Sequence, residues 1–485
     1  MIPRLLPTFG VAVASLVGLA WWRAERHRRS TPAPPVPSSN PAPVPGAHHL
    51  AERLARLVAF PTIVGDDAAF RGLHAELTRL YPEVFERLEI EPIGPRGLGM
   101  MCRWPGADPA TAAAPLVLMA HQDVVPVAGQ GWSSDPFEAS LRDGQLFGRG
   151  TLDDKGSLLL LFEAIDVLIG QGFEPTREVY LLLGDCEEVG GPSIADAARL
   201  LAERGIRPWL VLDEGGAVVE AGSLPGLTSP AAMIGVAEKG ELSARLTAND
   251  PGGHASTPHS GGAPGRLASA ISTLDRQPFP VELPVPVLQM LRTLGQVSTP
   301  ATSLLYSNSD LLAGPCARIL AWAGEETAAM VRTTAAVTQL SGSPAPNVLA
   351  TSASAVVNLR VPTGVSTATV LDQLRRFIHD DAISVEILSR DEASRVSPST
   401  GAGWDALRRA LHTSYPEAVA LPYLQTGATD ARHLSSICDQ VYRFSPLRMS
   451  LDQRARLHAA DEAISIDTLQ PGVQFIVSLI EDVCG

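Results

Sequence analysis

The 485-residue chain is 45% hydrophobic with 42 glycines and 40 prolines, which is too long for one ordinary domain and apolar enough for a large core. Acidic residues outnumber basic ones 52 to 38, giving a net charge of −14, and no basic block occurs in the body, which argues against a nucleic-acid partner. Five scattered cysteines without a Cys-x-x-Cys speak against a disulfide scaffold or a structural zinc knuckle.

Residues 1–29 stand apart from the fold. Leu5–Trp22 is an apolar run of about bilayer-spanning length that ends in Trp21-Trp22, a pair suited to a membrane interface, so residues 1–29 read as a membrane anchor or signal segment. Arg23, Arg26, Arg28 and Arg29 follow the run while only Arg4 precedes it, which by the positive-inside rule would leave the body in the cytoplasm. Residues 30–47 are rich in Pro, Ala and Ser and read as a semi-extended linker of the kind that holds a domain off a membrane. That stalk favours an extracytoplasmic body, the arrangement expected here although the arginines point the other way.

The folded body begins near His48. His49–Phe60 and Ala68–Leu80 have helical spacing, and Leu88–Ile93 and Gly99–Trp104 alternate like strands. Apolar Leu116–Ala120 then runs into His121-Gln122-Asp123, Val179–Leu183 into Gly184-Asp185-Cys186-Glu187-Glu188, and Trp209–Leu212 into Asp213-Glu214. Between them lie helix candidates Ser157–Ile169 and Ile194–Glu203. Strand alternating with helix predicts a mostly parallel sheet covered on both faces, the first part of a catalytic domain over 48–239. Near Gly240 the pattern changes. Glu241–Thr247, Ser354–Val361 and Ile383–Leu388 alternate, Gly265–Leu274 has helical spacing, and Ser366 is placed to cap a helix through His379, so 240–391 reads as an inserted α+β domain. Residues 275–345 read as irregular. Over 392–485 the α/β pattern resumes, with a helix at Trp404–Thr413, a strand at Gln440–Phe444 and a terminal helix at about Asp467–Val483.

The charged residues gather at strand ends, and in open α/β sheets ligands bind in the crevice beyond the carboxyl ends of the strands. Asp153-Asp154, in Gly148-Arg-Gly-Thr-Leu-Asp-Asp-Lys-Gly156, lead into apolar Leu158–Leu161. Adjacent carboxylates against apolar structure repel each other unless a cation sits between them. Zinc takes imidazole nitrogen and carboxylate oxygen, and a pair of zinc ions needs a shared carboxylate. Asp153 suits that bridge, His121 and Asp213 suit one ion, and Glu188 with a distant histidine suits the other. Asp123 is placed to fix the His121 tautomer. Glu187, beside the metal and not needed as a ligand, is what a general base requires. Singly, a His-x-Asp, a Glu-Glu opening a helix or an Asp-Asp in a turn is ordinary; their joint occurrence at strand ends points to a metal site.

Leu118-Met-Ala-His-Gln-Asp-Val-Val-Pro126, the Gly148–Gly156 stretch and Cys186-Glu-Glu-Val-Gly-Gly191 resemble the di-zinc aminoacylase/carboxypeptidase family of metallopeptidases. Leu212-Asp-Glu-Gly-Gly216, Val236-Ala-Glu-Lys-Gly240 and Tyr442-Arg-Phe-Ser-Pro446 are similar to the branch of carboxypeptidase S and the secreted N-fatty-acyl-amino-acid hydrolases. The resemblance implies an α/β di-zinc catalytic domain split by a lid that pairs two copies of the chain in many members. It implies that His121, Asp153 and Asp213 hold one zinc and Asp153, Glu188 and His458 the other, with cobalt or manganese able to substitute. It gives Asp123 the orienting role and Glu187 that of the base, and makes the Asp153–Asp154 peptide cis. In the lid it assigns His254 to the scissile carbonyl and Asn347 and Arg360 to substrate binding, with Gly427 lining the substrate. Arg360 suits a carboxylate because its planar fork meets both oxygens. Cys186 departs from the family, which usually has Asp there. The implied activity is hydrolysis of the amide next to a C-terminal free amino acid, in N-acyl amino acids or small peptides. A dipeptidase or aminopeptidase on the same site, or a catalytically silent binding protein, are the alternatives.

Overall fold

A computed structural model describes residues 18–26, 43–343 and 345–485. At its centre is an eight-stranded sheet in the order Glu89–Ile93, Gly99–Trp104, Val179–Gly184, Leu116–His121, Leu210–Val219, Val441–Arg448, Ala231–Glu238, Val419–Gln425. Leu116–His121 runs parallel to both its neighbours, and Val441–Arg448 runs parallel to Leu210–Val219. The fold is thus mixed α/β around a mostly parallel sheet. Leu116–His121 and Val179–Gly184 are buried along their whole length, as their unbroken apolar runs require of strands covered on both faces.

One face of the sheet packs against Ala47–Val58, Lys155–Gly170, Ala402–Ser414 and Leu469–Cys484 in a single apolar core. Lys155–Gly170 is apolar around most of its circumference, and Leu158 to Ile165 are buried without a break. The opposite face carries Ser193–Glu203 beside Leu434 and Ile437.

The second body is a four-stranded antiparallel sheet ordered Thr334–Ser341, Ser352–Val361, Gly240–Asn249, Ile383–Asp391. Leu242, Ala244, Leu246 and Ala248 point inward on alternate positions and meet helices Ala263–Asp275 and Thr367–Ile378. Ser366 caps the latter by accepting the Thr369 N–H, and His379 closes it in the left-handed conformation. The chain crosses between the bodies at Glu238–Gly240 and again near residues 391–397. Ser394 and Ser397 N–H groups donate to the Glu238 and Val236 carbonyls there. A Cβ at Gly240 would lie 2.5 Å from the Ala393 nitrogen, so this crossing needs glycine.

Residues 275–345 differ from expectation. They contain the helices Val285–Val297, Pro300–Tyr306, Ala313–Ala323 and Glu325–Met330. The prolines that suggested irregularity stand in the first turns of the first two, where no N–H partner is lost. Phe279 and the strand Thr334–Ser341 join the inserted domain, but the helices between them do not enter its core. Val287, Met290, Leu291, Leu294, Leu320 and Met330 pack against Met233, Leu421 and Tyr423 at the edge of the central sheet.

Residues 18–26 are helical, while the rest of the expected Leu5–Trp22 span and most of the 30–47 linker lie outside the described residues. Among the described residues no helix is long and apolar enough to cross a membrane.

Candidate active site and metal centre

Asp153 stands at the centre of a cluster at the carboxyl ends of the parallel strands. His121, the last residue of its strand, brings Nε2 to 2.9 Å from Asp153 Oδ1. His458, from the loop before Ala463–Ser465, brings Nε2 to 2.9 Å from Asp153 Oδ2 and 3.1 Å from Glu188 Oε2. Two groups share Asp153: His121, Asp153 and Glu214 on one side, Asp153, Glu188 and His458 on the other, with donor atoms within 4.8 Å of one another in each. The Asp153–Asp154 peptide is cis.

Glu214, rather than the expected Asp213, completes the first group. Glu214 Oε1 lies 3.9 Å from His121 Nε2, whereas Asp213 is buried and accepts the Ala431 N–H at 2.9 Å. Strand alternation is the reason. Leu210 and Leu212 face the core built on Lys155–Gly170, the helix that Asp153-Asp154 precede, and Glu214 follows them on that face. Val211 faces Ala431 and Leu434, and Asp213 follows it.

Asp123 is fully buried, but the orienting contact to the imidazole runs through its backbone: His121 Nδ1 lies 2.9 Å from the Asp123 carbonyl oxygen and 3.5 Å from its carboxylate. The carboxylate instead accepts the N–H groups of Glu187 and Glu188 at 3.1 and 3.0 Å, fixing the turn that presents both glutamates. Glu187 belongs to neither carboxylate–imidazole group.

Three carboxylates were not singled out from the sequence: Glu214, Glu462 and Asp430. Glu462 is fully buried and clamps the loop that carries Asp153. One of its oxygens accepts the Leu152 and Asp153 N–H groups at 2.8 and 3.2 Å. The other accepts Gly150 N–H and Arg149 Nη1 at 3.1 and 2.7 Å. It lies four residues after His458, so one loop supplies a candidate ligand and the clamp on the shared carboxylate. Asp430 lies under the site, where burial and the nearby charge of Asp213 push its carboxyl up to about 8. Only the fold brings residues so distant in sequence together; strand parity separates Glu214 from Asp213 only once the sheet fixes which face Leu212 turns to the core.

Burial raises the cost of charge across this cluster. It pushes the Glu187 carboxyl up to about 9, with His121 opposing and Asp430, Asp153 and Glu188 adding to the rise. Burial, then the charges of Asp153 and Asp154, hold Glu214 well above the usual range. Hydrogen bonds to Asp153 and Glu188 raise His458 to about 10. Burial opposes ionisation of Asp153, but hydrogen bonds from His121 and His458 outweigh it and hold its carboxyl below the usual range. Glu188 Oε1 is buried without a hydrogen-bond partner. Acids crowded around a shared carboxylate, two imidazoles and an orphaned oxygen form a donor set that fits divalent cations of the zinc type.

The lid residues are not part of this cluster. His254 pairs with Val348 across a short two-stranded ribbon, and its Nδ1 meets the Ser256 hydroxyl at 2.7 Å in an exposed position. Asn347 is exposed on the same ribbon, its carbonyl accepting the Ala255 N–H. Arg360 stands on Ser352–Val361, where Nε donates to Asn358 Oδ1 at 3.0 Å and Nη1 lies 3.3 Å from Glu241. Gly427 follows the edge strand Val419–Gln425. Its loop is held by Glu238, which accepts the Thr429 N–H at 3.1 Å and pairs with buried Arg443 at 2.8 Å.

A model of the family described as Peptidase family M20/M25/M40 matches residues 117–482. "Probable carboxypeptidase S-like 2" of Dictyostelium discoideum is 31% identical over 449 residues, covering 89% of this chain and 85% of that protein. "N-fatty-acyl-amino acid synthase/hydrolase PM20D1" of Homo sapiens is 32% identical over 381 residues, covering 78% and 75%. Among solved structures, the M20 family metallo-carboxypeptidase Sso-CP2 from Sulfolobus solfataricus superposes with a TM-score of 0.65 at 18% identity, over 89% of this chain and 98% of that one. Human carnosine dipeptidase 1 does so with a TM-score of 0.63 at 15% identity, over 96% and 98%. The two solved structures share the fold, and the family match and the sequence relatives carry the rest: the chain belongs to peptidase family M20/M25/M40 and is a carboxypeptidase/aminoacylase-like hydrolase of amide bonds.

Proposed function

We propose that this site cleaves the amide joining an acyl or peptidyl group to a C-terminal amino acid whose carboxylate is free. One observation carries the reading: the two oxygens of Asp153 each face a different imidazole, each side adds one further carboxylate, and Glu187 is left over. His121, Asp153 and Glu214 would hold one zinc, and Asp153, Glu188 and His458 the other, with cobalt or manganese as substitutes. Bound zinc would supply Lewis acidity toward the scissile carbonyl and toward water. Glu187 takes the proton from the attacking water and returns it to the departing nitrogen. Asp123 holds the Glu187-Glu188 turn, and Glu462 holds the Asp153 loop. Arg360 receives the substrate carboxylate, Asn347 and His254 the carbonyl being cleaved, and the Gly427 loop lines the pocket.

Because His254 is a lid residue, it reaches the reacting carbonyl by lid closure or from a second copy of the chain. A homodimer through the lid is supported by the exposed Thr334–Ser341 edge, where Val337 and Leu340 face outward. The relatives named for carboxypeptidase S and for N-fatty-acyl-amino acids favour these two substrate types over a free-amine dipeptide. The N-terminal segment would place the enzyme at a membrane.

The test is turnover of N-acyl amino acids, their C-terminally amidated analogues and free dipeptides, with elemental analysis of the same sample. Two zinc ions per chain and a preference for the free carboxylate are expected. A protein that purifies without metal and stays inert when metal is added would overturn the reading.

A further inference from the structure

Among the described residues, several large apolar side chains face solvent on residues 18–26 and on 311–322, two segments joined through Asn308 and Asp310. The helix of residues 18–26 is seated on the segment that opens the helix Ala313–Ala323. Asn308 Nδ2 donates to the Ala20 carbonyl at 3.1 Å, Arg23 pairs with Asp310 at 2.8 Å, and Ala24 is buried. On the outer side of residues 18–26, Leu19, Trp21 and Trp22 are 51%, 56% and 55% exposed. Directly beyond Asp310, Leu311 and Leu312 are 68% and 37% exposed. The helix Ala313–Ala323 turns Cys316, Ala317 and Leu320 into the core and shows Ile319 and Trp322 to solvent, Trp322 at 90%. Leu312, Ile319 and Trp322 recur at helical spacing and form one stripe.

An apolar face of this kind marks an interaction surface. Its chemistry points to lipid. Tryptophans, with an apolar body and one polar N–H, favour the headgroup level of a bilayer, and three of the exposed residues are tryptophans. Arginines border the face: Arg23, Arg26, whose guanidinium lies 5.3 Å from the Trp22 ring centre, and exposed Arg318. Arg23 is paired with Asp310, while Arg26 and Arg318, beside the acids Glu25 and Glu325, offer positive charge to lipid phosphates. The sequence that precedes residue 18 is apolar over Leu5–Val17.

We propose that this face lies in the headgroup–acyl boundary of a phospholipid bilayer, with Ile319 and Trp322 inserted alongside Trp21 and Trp22. The body then rests on the membrane through the helices inserted at 281–331, and the Asn308 and Asp310 contacts with residues 18–26 leave no stand-off between anchor and body. The hydrolase reading is not needed for this inference, and its test does not use catalysis.

All five cysteines are buried, so one cysteine introduced at the surface can be labelled selectively with an environment-sensitive fluorophore. The full chain carrying Trp322→Cys, added to phosphatidylcholine/phosphatidylserine vesicles, should shift its emission to the blue and be quenched by lipids brominated near the headgroup. Gln470→Cys, exposed on a helix covering the opposite face of the sheet, should do neither. If the protein floats with the vesicles while the label at 322 stays silent, the N-terminal segment alone anchors it and the proposal fails. If the label at 322 shifts with protein concentration and no lipid, a second copy covers this face and the proposal fails as well. Ile319→Ser, labelled at 322, should weaken the lipid response, and an unchanged response would count against insertion of the stripe.

Discussion

At the carboxyl ends of the central sheet's parallel strands, Asp153 is held by two imidazoles, its loop is clamped by a buried glutamate, and the neighbouring glutamates are fixed through backbone N–H groups. Across the crossing, His254, Asn347 and Arg360 stand on lid strands at exposed or half-exposed positions, and their partners are other lid residues. The first region is preorganised: its geometry is set by packing and hydrogen bonds before anything binds. The second stands on a separate core, and in the proposed reading it forms the wall that receives substrate, meeting the reacting atoms through motion of that core or through another copy. Metal affinity should therefore depend on the first region alone, and the lid should govern how substrate is held and turned over.

The largest expected effect separates two adjacent acids of the first region. Glu214→Ala should lose metal from one of the two sites and lower kcat by about 10³ or more, since a Lewis acid contributes several kcal/mol to the transition state. Asp213→Asn, which can still accept the Ala431 N–H, should keep full metal content and stay within about tenfold of normal turnover. Elemental analysis with steady-state kinetics reads both. The reverse ranking would return the ligand role to Asp213.

The second test divides Glu187 from Glu188. Glu187→Gln should keep both metals and bind substrate normally while kcat falls by about 10²–10⁴. Glu188→Ala should lose metal and activity together. An active Glu187→Gln enzyme with its metals in place would assign the proton transfers elsewhere.

On the lid side, His254→Ala should leave metal content untouched and lower kcat by about 10²–10³, the loss typical of one oxyanion donor. Loss of metal in this variant would mean that the two regions are not independent. The smallest effect is expected for Arg360→Lys, which keeps the charge and loses the fork. KM for substrates with a free carboxylate should rise by about tenfold, roughly one charge-assisted hydrogen bond, while amidated analogues are little affected. Equal effects on both would remove Arg360 from carboxylate recognition.

Period and strand-end chemistry made much of this protein legible from the sequence. The unbroken apolar runs ending at His121 and Gly184 predicted strands buried on both faces, and the acids beyond them predicted a metal site. Alternation in Glu241–Thr247, within the strand Gly240–Asn249, marked the change to a half-exposed antiparallel sheet, and Ser366 marked a helix start. These signals are local, each set by neighbours a few residues apart. Alternation also held the answer to Asp213 against Glu214, but reading it required knowing which face Leu212 turns toward the Asp153 loop, and sheet order settles that. Glu462 reaches the Asp153 N–H across 309 residues, and no local pattern records such a clamp. The helices between Val285 and Met330 could have covered the lid by sequence position. They cover the catalytic sheet because its edge strand Val419–Gln425 offered an apolar face that the chain reaches only after folding. Sequence alone determined which residues could bear charge, helix or strand. Which of two adjacent acids meets a histidine, and which body a helix joins, followed from the burial of faces that exist only once distant strands have paired.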